Sequence, residues 1–579
     1  MKQNIFHLRN VEILIFCIVL LLVPLTFGKI FLPSQTVFDF HDSSQAPRVA
    51  EFGYNLTTFH IPPRIAPHWS FELGFPVFTF YAPFSYWLTT FISFVFSIPS
   101  SIKLSFLFAI LVAFSGMFFL IKKQLNTPAG LLGAALYASS PYIAVETLIR
   151  GNLGEIWYLA LLPWAFYTVI ILSESPSIYR LLFSACVLSF FFSVHNVLSL
   201  VSIPLFTLLM LLLPQKRWTI GSLIMSLGLS AYFFVPTLIE LPLTHAREIA
   251  KNTYYADHFL CLSQLWYSAW GYGGSVAGCT QDGMSFMLGK IQIILGVLGI
   301  IVFLTASIKK KKIEIVSLFI FILALAATFL TTYSSVKVWE MFASVLSLFQ
   351  FPWRLLIFSL FGVSFFAAYS IYLLPKKVST FLAIVCIIYA FFNGSKFFQK
   401  VQMPIESYKQ EYLSDTYIKT RVAYKIPEYL PQSVDYKYWL KYEPNAQNTQ
   451  YVDQTLMKEE FVHPLFPGSY IEKNTPYYKS ASLTPGVYTV NIHTFLNWKV
   501  KIDGRLLTKY AYDRLGRPML IVSRPSKLEV IYEQTLIQQL SNTISVLSLI
   551  ICGLLAIPQI NKTVSNLIQY RYEKREKRA

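Results

Sequence analysis

Residues 1–400 consist mostly of apolar blocks of about 20 residues separated by short polar stretches. A helix needs about 20 consecutive apolar residues to cross the hydrocarbon core of a bilayer. Only 13% of the chain is charged, whereas soluble domains carry about 25% charged residues. These features exclude a soluble enzyme, a disordered protein and a disulfide scaffold. The sequence predicts a multi-pass protein of the cell membrane.

The chain has 48 basic and 30 acidic residues, a formal net charge of +18. In a soluble protein this charge would suggest nucleic-acid binding. Here the basic residues form short clusters between apolar blocks, as in cytoplasmic loops, so we expect no nucleic-acid partner. The clusters are Lys122-Lys123, Arg180, Lys216-Arg217, Lys309 to Lys312, Lys376-Lys377 and a tail from Lys562 to Arg578.

About twelve spans place every basic cluster on the cytoplasmic side, together with both termini. The predicted spans are 11–31, 103–121, 128–146, 155–172, 180–194, 197–213, 219–239, 286–307, 313–332, 353–374, 379–396 and 536–557. The block 11–31 is long enough to span and has no small-residue cleavage site, so we interpret it as an uncleaved helix.

The apolar segment 78–97 would reverse the orientation of every later loop if it crossed the bilayer. It is rich in aromatic residues, which favour the headgroup region. We therefore predict an interfacial or re-entrant helix at this position.

Three segments are predicted to be long and extracytoplasmic: 32–77, 240–285 and 397–535. The third alternates like β-strands at Val487–Ile492, with further strands at 498–502 and 528–532. The fold class is thus a mainly α transmembrane bundle with a small extracytoplasmic β-rich domain. Its parts are a transmembrane module (1–396), the β-rich domain (397–535), and a last helix with a basic tail (536–579). Cys261 and Cys279 share one outer loop, where an oxidising compartment would allow a disulfide.

Acidic residues and histidines concentrate on the predicted outer face, and ionisable groups beside membrane spans are often functional. Some have structural alternatives: Glu146 and Arg150, at i and i+4, can form a simple bridge, and His195-Asn196 can cap a helical turn. The outer-face residues are Asp39, His41, Asp42, Arg48, Glu51, Arg64, His68, Glu146, Arg150, Glu155, His195, Glu240, His245, Arg247, Asp257, His258, Gln350 and Arg354.

Asp42 is the strongest catalytic candidate, because it follows the first span closely and has His41 and Arg48 nearby. An outward-facing carboxylate beside basic groups suits glycosyl transfer from a polyprenyl-phosphate-linked sugar. The carboxylate would deprotonate the acceptor hydroxyl as a general base. Arginines or a divalent metal would neutralise the departing phosphate.

The alternative is a non-catalytic membrane protein for lipid or glycan transport or envelope assembly, with the outer β domain as its contact surface. A transporter would place charges near the bilayer midplane and show repeated, broken helices. The outer clustering of ionisable residues favours the enzyme.

Several motifs resemble the bacterial integral membrane family labelled "6-pyruvoyl-tetrahydropterin synthase-related", which is similar to the GT-C superfamily of polyprenyl-phosphate-sugar-dependent glycosyltransferases. The resemblance covers about residues 1–400 and is specific as a set. Its motifs are His41-Asp42-Ser43-Ser44-Gln45, Arg48 to Phe52, Pro62 to His68, Leu73 to Phe78, Phe80 to Pro83, Arg150-Gly151 with Glu155, His195-Asn196, Trp270 to Gly274 with Asp282-Gly283, and Phe349 to Arg354.

The resemblance implies an essential acidic residue in the first outer loop, which Asp42 matches, with Asp39 as second choice. Either could ligate Mg or Mn, and where the family has a histidine a few residues later, this chain has Gln45. A pterin synthase would need a three-histidine zinc site in a soluble fold, so no pterin or zinc is expected. The residues predicted to bind substrate are His41, Arg48, Arg64, His68, Arg150, Glu155, His195 and Arg354; Arg150 and Arg354 would hold phosphate, and Glu155 and His195 would orient the site.

Overall fold

A computed structural model describes residues 10–252, 255–442, 462–464, 469–564 and 566. Within these residues, six helices are long and apolar enough to cross a membrane. They are Ile98–Gln124, Leu153–Glu174, Lys290–Lys310, Pro352–Tyr372, Lys376–Ser395 and Leu536–Ala556. The fold is therefore mainly α and polytopic, with a β region near its C-terminal end.

The predicted count of about twelve spans is not supported. The pair Lys216–Leu229 and Ala231–Leu243 meets the length and hydropathy of a span only when taken together, and it bends by 70°. Four further apolar helices of the described chain have 10–17 residues: Asn10–Thr26, Ile178–Phe192, Asn196–Leu212 and Ile315–Leu330. Six helices, or seven with the bent pair, are thus long enough to span.

The predicted span 128–146 is broken near its middle. The helix Thr127–Ala138 ends before Pro141, and Ser140 caps the short helix Pro141–Ala144 that follows. Proline lacks an amide donor and disfavours a helical conformation in the residue before it. A π-helical turn, Val145–Arg150, then carries the chain into the candidate site.

The segment predicted as an interfacial or re-entrant helix forms two short helices, Val77–Phe80 and Phe84–Ser93. Ten helical residues extend about 15 Å, which is half the hydrocarbon core of a bilayer. This part of the chain cannot cross as a single helix. Its position at the membrane interface stays a prediction.

The first outer loop is held against the helical bundle. Its strand Thr36–Val37 pairs antiparallel with Met403–Pro404, and its helix is Gln45–Thr57. The buried Lys103 donates hydrogen bonds of 2.9 Å to Ser34 Oγ and to the Thr36 carbonyl. These contacts fix where the loop presents its charged residues.

The region 397–535, predicted to be an extracytoplasmic β-rich domain, is helical in its first part. Helices form at Ile405–Tyr412, Asp415–Thr420 and Tyr436–Trp439, with 3-10 turns at Val422–Lys425 and Pro427–Tyr429. Buried aromatic side chains, among them Tyr408 and Trp439, pack this part onto the helical core. Because tertiary packing of aromatic residues decides this conformation, the β-rich interpretation is wrong for 405–442.

The β region consists of two antiparallel sheets. In the five-stranded sheet, neighbouring strands follow the spatial order Ser469–Asn474, Tyr478–Leu483, Ser526–Tyr532, Trp498–Ile502 and Arg505–Leu506. In the four-stranded sheet, the order is Val462–Pro464, Gly486–Val490, Pro518–Val522 and Ala511–Tyr512. The three predicted strands are confirmed. Val530 lies opposite Val500, and both side chains are buried in the core between the sheets.

The outer loop that contains Cys261 and Cys279 is closed by a disulfide between them. Among the predicted cytoplasmic basic residues, Lys2, Arg9 and the tail residues Arg571, Lys574, Arg575, Lys577 and Arg578 lie outside the described residues. The orientation of the termini therefore stays a prediction.

His493 joins the β region to the first outer loop. Its Nδ1–H donates to the Leu515 carbonyl over 3.0 Å, and its Nε2 accepts the Ser70 hydroxyl over 2.7 Å. Burial lowers the pKa of His493 from 6.5 to about 4. The histidine is therefore neutral in the folded protein at neutral pH.

Acidification is expected to destabilise this contact. The pKa of His493 is lower in the folded than in the unfolded protein, so the folded state is stabilised fully above pH 6.5. As the pH falls to 4, the free energy of unfolding should decrease by about 3 kcal/mol. Thermal unfolding in detergent across this pH range measures the loss. His493→Gln cannot titrate, so its stability should vary less with pH. Equal pH dependence in both proteins would contradict the assignment.

Candidate active site

A cavity of about 420 Å³ lies where the predicted first outer loop meets six other parts of the chain: 80–82, 150–154, 194–200, 233–246, 348–354 and 425–429. Its lining includes Asp42 and three arginines, together with Phe233, Phe234 and Leu238 of the bent helix pair. The lining residues Leu200, Leu238 and Lys425 are exposed. The lining residues named among the predictions are His41, Asp42, Arg48, Arg150, His195 and Arg354.

Asp42 is positioned by backbone and side-chain contacts. Its amide donates to the Arg150 carbonyl over 3.1 Å, which ties the first loop to the π-helical turn. Its carboxylate accepts hydrogen bonds from the Ser44 hydroxyl, from Gln45 Nε2 at 2.7 Å and from an Arg48 Nη at 3.3 Å. Both carboxylate oxygens are thus engaged, and Gln45 supplies one of the donors.

Arg48 is fully buried between Asp42 and two tyrosines. The same Nη donates to the Tyr86 hydroxyl over 2.8 Å, and the guanidinium lies 4.2 Å from the Tyr81 ring centroid. Burial opposes the charge, but the carboxylate of Asp42 outweighs it and holds the pKa of Arg48 well above its usual value. Arg48 therefore contributes a permanent positive charge to the cavity wall.

Glu155 is a buried carboxylate at the first turn of the helix Leu153–Glu174, where the helix dipole favours negative charge. Its Oε1 accepts Arg150 Nη at 3.1 Å and Arg354 Nε at 2.9 Å, and lies 3.7 Å from His195 Nε2. One carboxylate thus gathers side chains from three elements. Arg150 pairs with Glu155, so the alternative bridge to Glu146 does not form.

The two arginines that Glu155 holds keep part of their hydrogen-bonding capacity toward the cavity. Arg354 also donates to the Phe349 carbonyl at 2.8 Å and to Gln350 Oε1 at 3.1 Å, which fixes its orientation. Arg150 lies over the Trp353 ring, and its buried Nε has no hydrogen-bond partner within the described chain. Buried unpaired donors beside fixed positive charge suit a bound anion.

The two histidines of the cavity have different partners. His41 Nε2 lies 2.8 Å from the Tyr272 carbonyl, and His195 Nδ1 accepts the Leu198 amide at 3.3 Å. Burial lowers the pKa of both, although the nearby Glu155 carboxylate partly opposes this for His195. His195 therefore also caps its helix, as the structural alternative suggested.

Glu155 does not line the cavity itself but holds two arginines that do, and three further predicted residues, Arg64, His68 and Asp39, lie outside it. Arg64 donates to Asn542 Oδ1 on the last helix at 2.8 Å, and His68 is 2.8 Å from the Glu51 carboxylate. Asp39 is half-exposed and pairs with Lys400 at 3.3 Å. Their proximity in sequence to Asp42 is misleading, because the helix Gln45–Thr57 and the turns around it direct them to other surfaces. Arg64 and His68 therefore do not line the cavity in which a substrate would bind.

Sequence reasoning missed the segment 425–429, which supplies Lys425, Glu428 and Tyr429 to the cavity. The Tyr429 hydroxyl accepts Asn196 Nδ2 at 2.8 Å, which connects this segment to the His195-Asn196 motif. The segment lies almost 400 residues after Asp42 in a region interpreted as β-rich. The sequence of this segment contains no motif or residue spacing that predicts its proximity to Asp42 or to the His195-Asn196 motif.

The residues around Asp42 do not fit a divalent metal site. Mg and Mn prefer several carboxylate or carbonyl oxygens, but the Asp42 oxygens already accept Ser, Gln and Arg donors. Within the described ranges, no group of three or more His, Cys, Asp or Glu side chains could hold a metal ion. Asp39, the second expected ligand, is paired with Lys400 instead.

No family model and no curated protein matches this chain. Among solved structures, the apo oligosaccharyltransferase of Archaeoglobus fulgidus is similar at 12% identity and a TM-score of 0.41, over 70% of this chain and 60% of that chain. The same enzyme tethered to an acceptor peptide with the NVT sequon has 12% identity and a TM-score of 0.40, over 78% and 59%. Its complex with an inhibitory peptide and a dolichol-phosphate has 11% identity and a TM-score of 0.37, over 70% and 60%.

The chain thus matches less than two thirds of the length of these enzymes. Identities and TM-scores of this size determine neither a substrate nor the role of a residue.

Proposed function

We propose that this protein is a GT-C-type glycosyltransferase that moves a sugar from a polyprenyl-phosphate donor to an acceptor at the outer face of the cell membrane. The observation that carries the proposal is the cavity itself, whose lining combines Asp42 and three arginines with apolar side chains. A polyprenyl-phosphate donor suits this lining, because its anionic phosphate can bind the arginines and its isoprenoid tail can pack against the apolar side chains.

In the proposed reaction, the acceptor oxygen forms a bond to the anomeric carbon as the bond from that carbon to the phosphate oxygen breaks. The phosphate oxygen keeps the electron pair, and Arg150 and Arg354 stabilise its charge through charge-assisted hydrogen bonds. The carboxylate of Asp42 stabilises the positive charge that develops on the sugar.

Glu155 acts through the residues that it holds. Its carboxylate places Arg150, Arg354 and His195 in fixed positions, so their dipoles need little reorganisation when phosphate charge develops. The apolar wall formed by Phe233, Phe234 and Leu238 would cover the first isoprene units of the donor. The acceptor would enter near the exposed Lys425.

Arg150→Gln is expected to weaken donor binding at least tenfold, because charged hydrogen bonds contribute about 1.5–3 kcal/mol. Native mass spectrometry of the purified protein with a polyprenyl-phosphate-linked hexose measures the affinity. Arg217→Gln is the matched control, since Arg217 is exposed at a distant helix end. Absence of donor binding in folded wild-type protein would overturn the proposed function and favour the transport or assembly alternative.

A further inference from the structure

The cavity contains a second carboxylate, Glu428, in addition to Asp42. It belongs to the 3-10 turn Pro427–Tyr429, in the helical part of the outer region. Two backbone hydrogen bonds are made by the residues directly after this turn. The Leu430 carbonyl accepts the His245 amide at 3.0 Å, and the Gln432 amide donates to the Leu243 carbonyl at 3.0 Å. The turn is therefore attached to the same chain segment that follows the apolar wall.

Tyr429 holds the turn on its other side. Its hydroxyl accepts Asn196 Nδ2, its ring stacks on Phe80 with centroids 5.7 Å apart, and its edge meets Tyr81 at 6.2 Å. Phe80 ends the short helix Val77–Phe80, and Tyr81 follows it directly. Glu428 is thus presented to the cavity by a rigid element and not by a free loop.

The two carboxylates differ in how they are satisfied. Both carboxylate oxygens of Asp42 already accept side-chain donors, one of them from an arginine. Glu428 has no hydrogen bond or ion pair to another side chain within the described residues, and it is partly exposed to the cavity. Its oxygens are available to a hydroxyl group of an incoming substrate.

The electrostatic surroundings of Glu428 also favour proton uptake. Burial raises the pKa of Glu428, and the negative charge of Asp42 adds to this, while Arg48 and Arg354 oppose it. A raised carboxyl pKa brings a general base nearer to the working pH, where it is more effective. The other ionisable groups that line the cavity around it are His41, Arg150, His195, Lys425, Tyr81 and Tyr429.

We propose that Glu428 is the general base of the reaction and accepts the proton of the acceptor hydroxyl. The assignment rests on the proposed function. As the acceptor oxygen bonds to the anomeric carbon, its proton moves to a Glu428 carboxylate oxygen, and the polyprenyl phosphate leaves as the anion. The proton then passes to water when the product departs. Two carboxylates in different environments thus have two roles: Asp42 stabilises charge on the sugar, and Glu428 takes up the proton.

Glu428→Gln tests the assignment in membranes that contain the full-length protein and the cell's own acceptors, supplied with a labelled polyprenyl-phosphate-linked hexose. We expect the variant to lower kcat by a factor of about 10²–10⁴, the usual contribution of a general base. Donor affinity, measured separately by native mass spectrometry, should stay within about twofold of wild type, because no phosphate contact is removed.

The pH profile of kcat distinguishes a base from a residue that only supports the fold. Wild type should lose activity toward acidic pH as Glu428 is protonated, and Glu428→Gln should lack this limb. Glu428→Asp should recover part of kcat and restore the limb, because it keeps the carboxylate. Glu406→Gln is the matched control, since Glu406 is exposed in the same outer region.

The outcomes separate the two proposals. If wild type transfers sugar and Glu428→Gln keeps its kcat and acidic limb, Glu428 is not the base and the proposed function still stands. Loss of donor affinity together with kcat would make Glu428 a binding residue and overturn the assignment. Wild-type protein that neither binds the donor nor transfers sugar overturns both.

Discussion

Asp42→Asn is expected to reduce sugar transfer by a factor of about 10² or more, while the protein still inserts and folds. Asparagine keeps the shape of the side chain but removes its charge. Its amide group would also face Gln45 Nε2 and Arg48, which are donors themselves. The fixed negative charge beside the sugar and the partner of the buried Arg48 are lost together.

Labelled transfer in membranes measures this effect, and normal expression with a cooperative unfolding transition confirms that the variant folds. Glu72→Gln is the matched control, because Glu72 lies in the same outer loop, is half-exposed and pairs with Lys419 on the surface. Exposed pairs of this kind contribute about 0–1 kcal/mol. Full activity in Asp42→Asn would show that this carboxylate has no part in the reaction.

Glu155→Gln is expected to impair both stability and donor binding. The carboxylate is buried and holds Arg150, Arg354 and His195, and breaking a buried pair on one side costs about 3–5 kcal/mol. Two guanidinium groups would then share the cavity floor without their counter-charge. We therefore expect a lower unfolding temperature and at least tenfold weaker binding of the polyprenyl-phosphate-linked hexose.

The control for this variant is Glu174→Gln at the other end of the same helix. Glu174 is partly exposed and pairs with Lys123, so its replacement should change the free energy of unfolding by less than about 1 kcal/mol. Equal stability in both variants would mean that the Glu155 cluster does not hold the site together. Lost stability with unchanged donor affinity would remove Glu155 from the binding function.

Several properties of the candidate site were predictable from the sequence because they depend on local composition. Apolar blocks and sparse charge indicate membrane helices wherever they occur. Ionisable residues placed next to such blocks are costly to bury, which drew attention to Asp42, Glu155 and Arg354. The structure brings these three residues to one site from distant parts of the chain.

Other expectations depended on features that sequence spacing does not record. A proline at 141 divides an apolar block into short helices, so hydropathy alone overestimates the number of spans. Arg64 and His68 lie close to Asp42 in sequence, but hydrogen bonds to Asn542 and Glu51 hold them elsewhere. Proximity along the chain could not distinguish these two residues from Arg48.

By itself, the sequence determined that the chain is a mainly helical membrane protein with a β region near its C-terminal end. Hydropathy and strand alternation are local patterns that survive without tertiary information. Only the tertiary structure decided which charges line one cavity and placed Glu428 in the same cavity as Asp42. The two residues are almost 400 positions apart in the sequence, and their common cavity depends on how buried aromatic side chains such as Tyr429 pack the segment 425–429 onto the bundle.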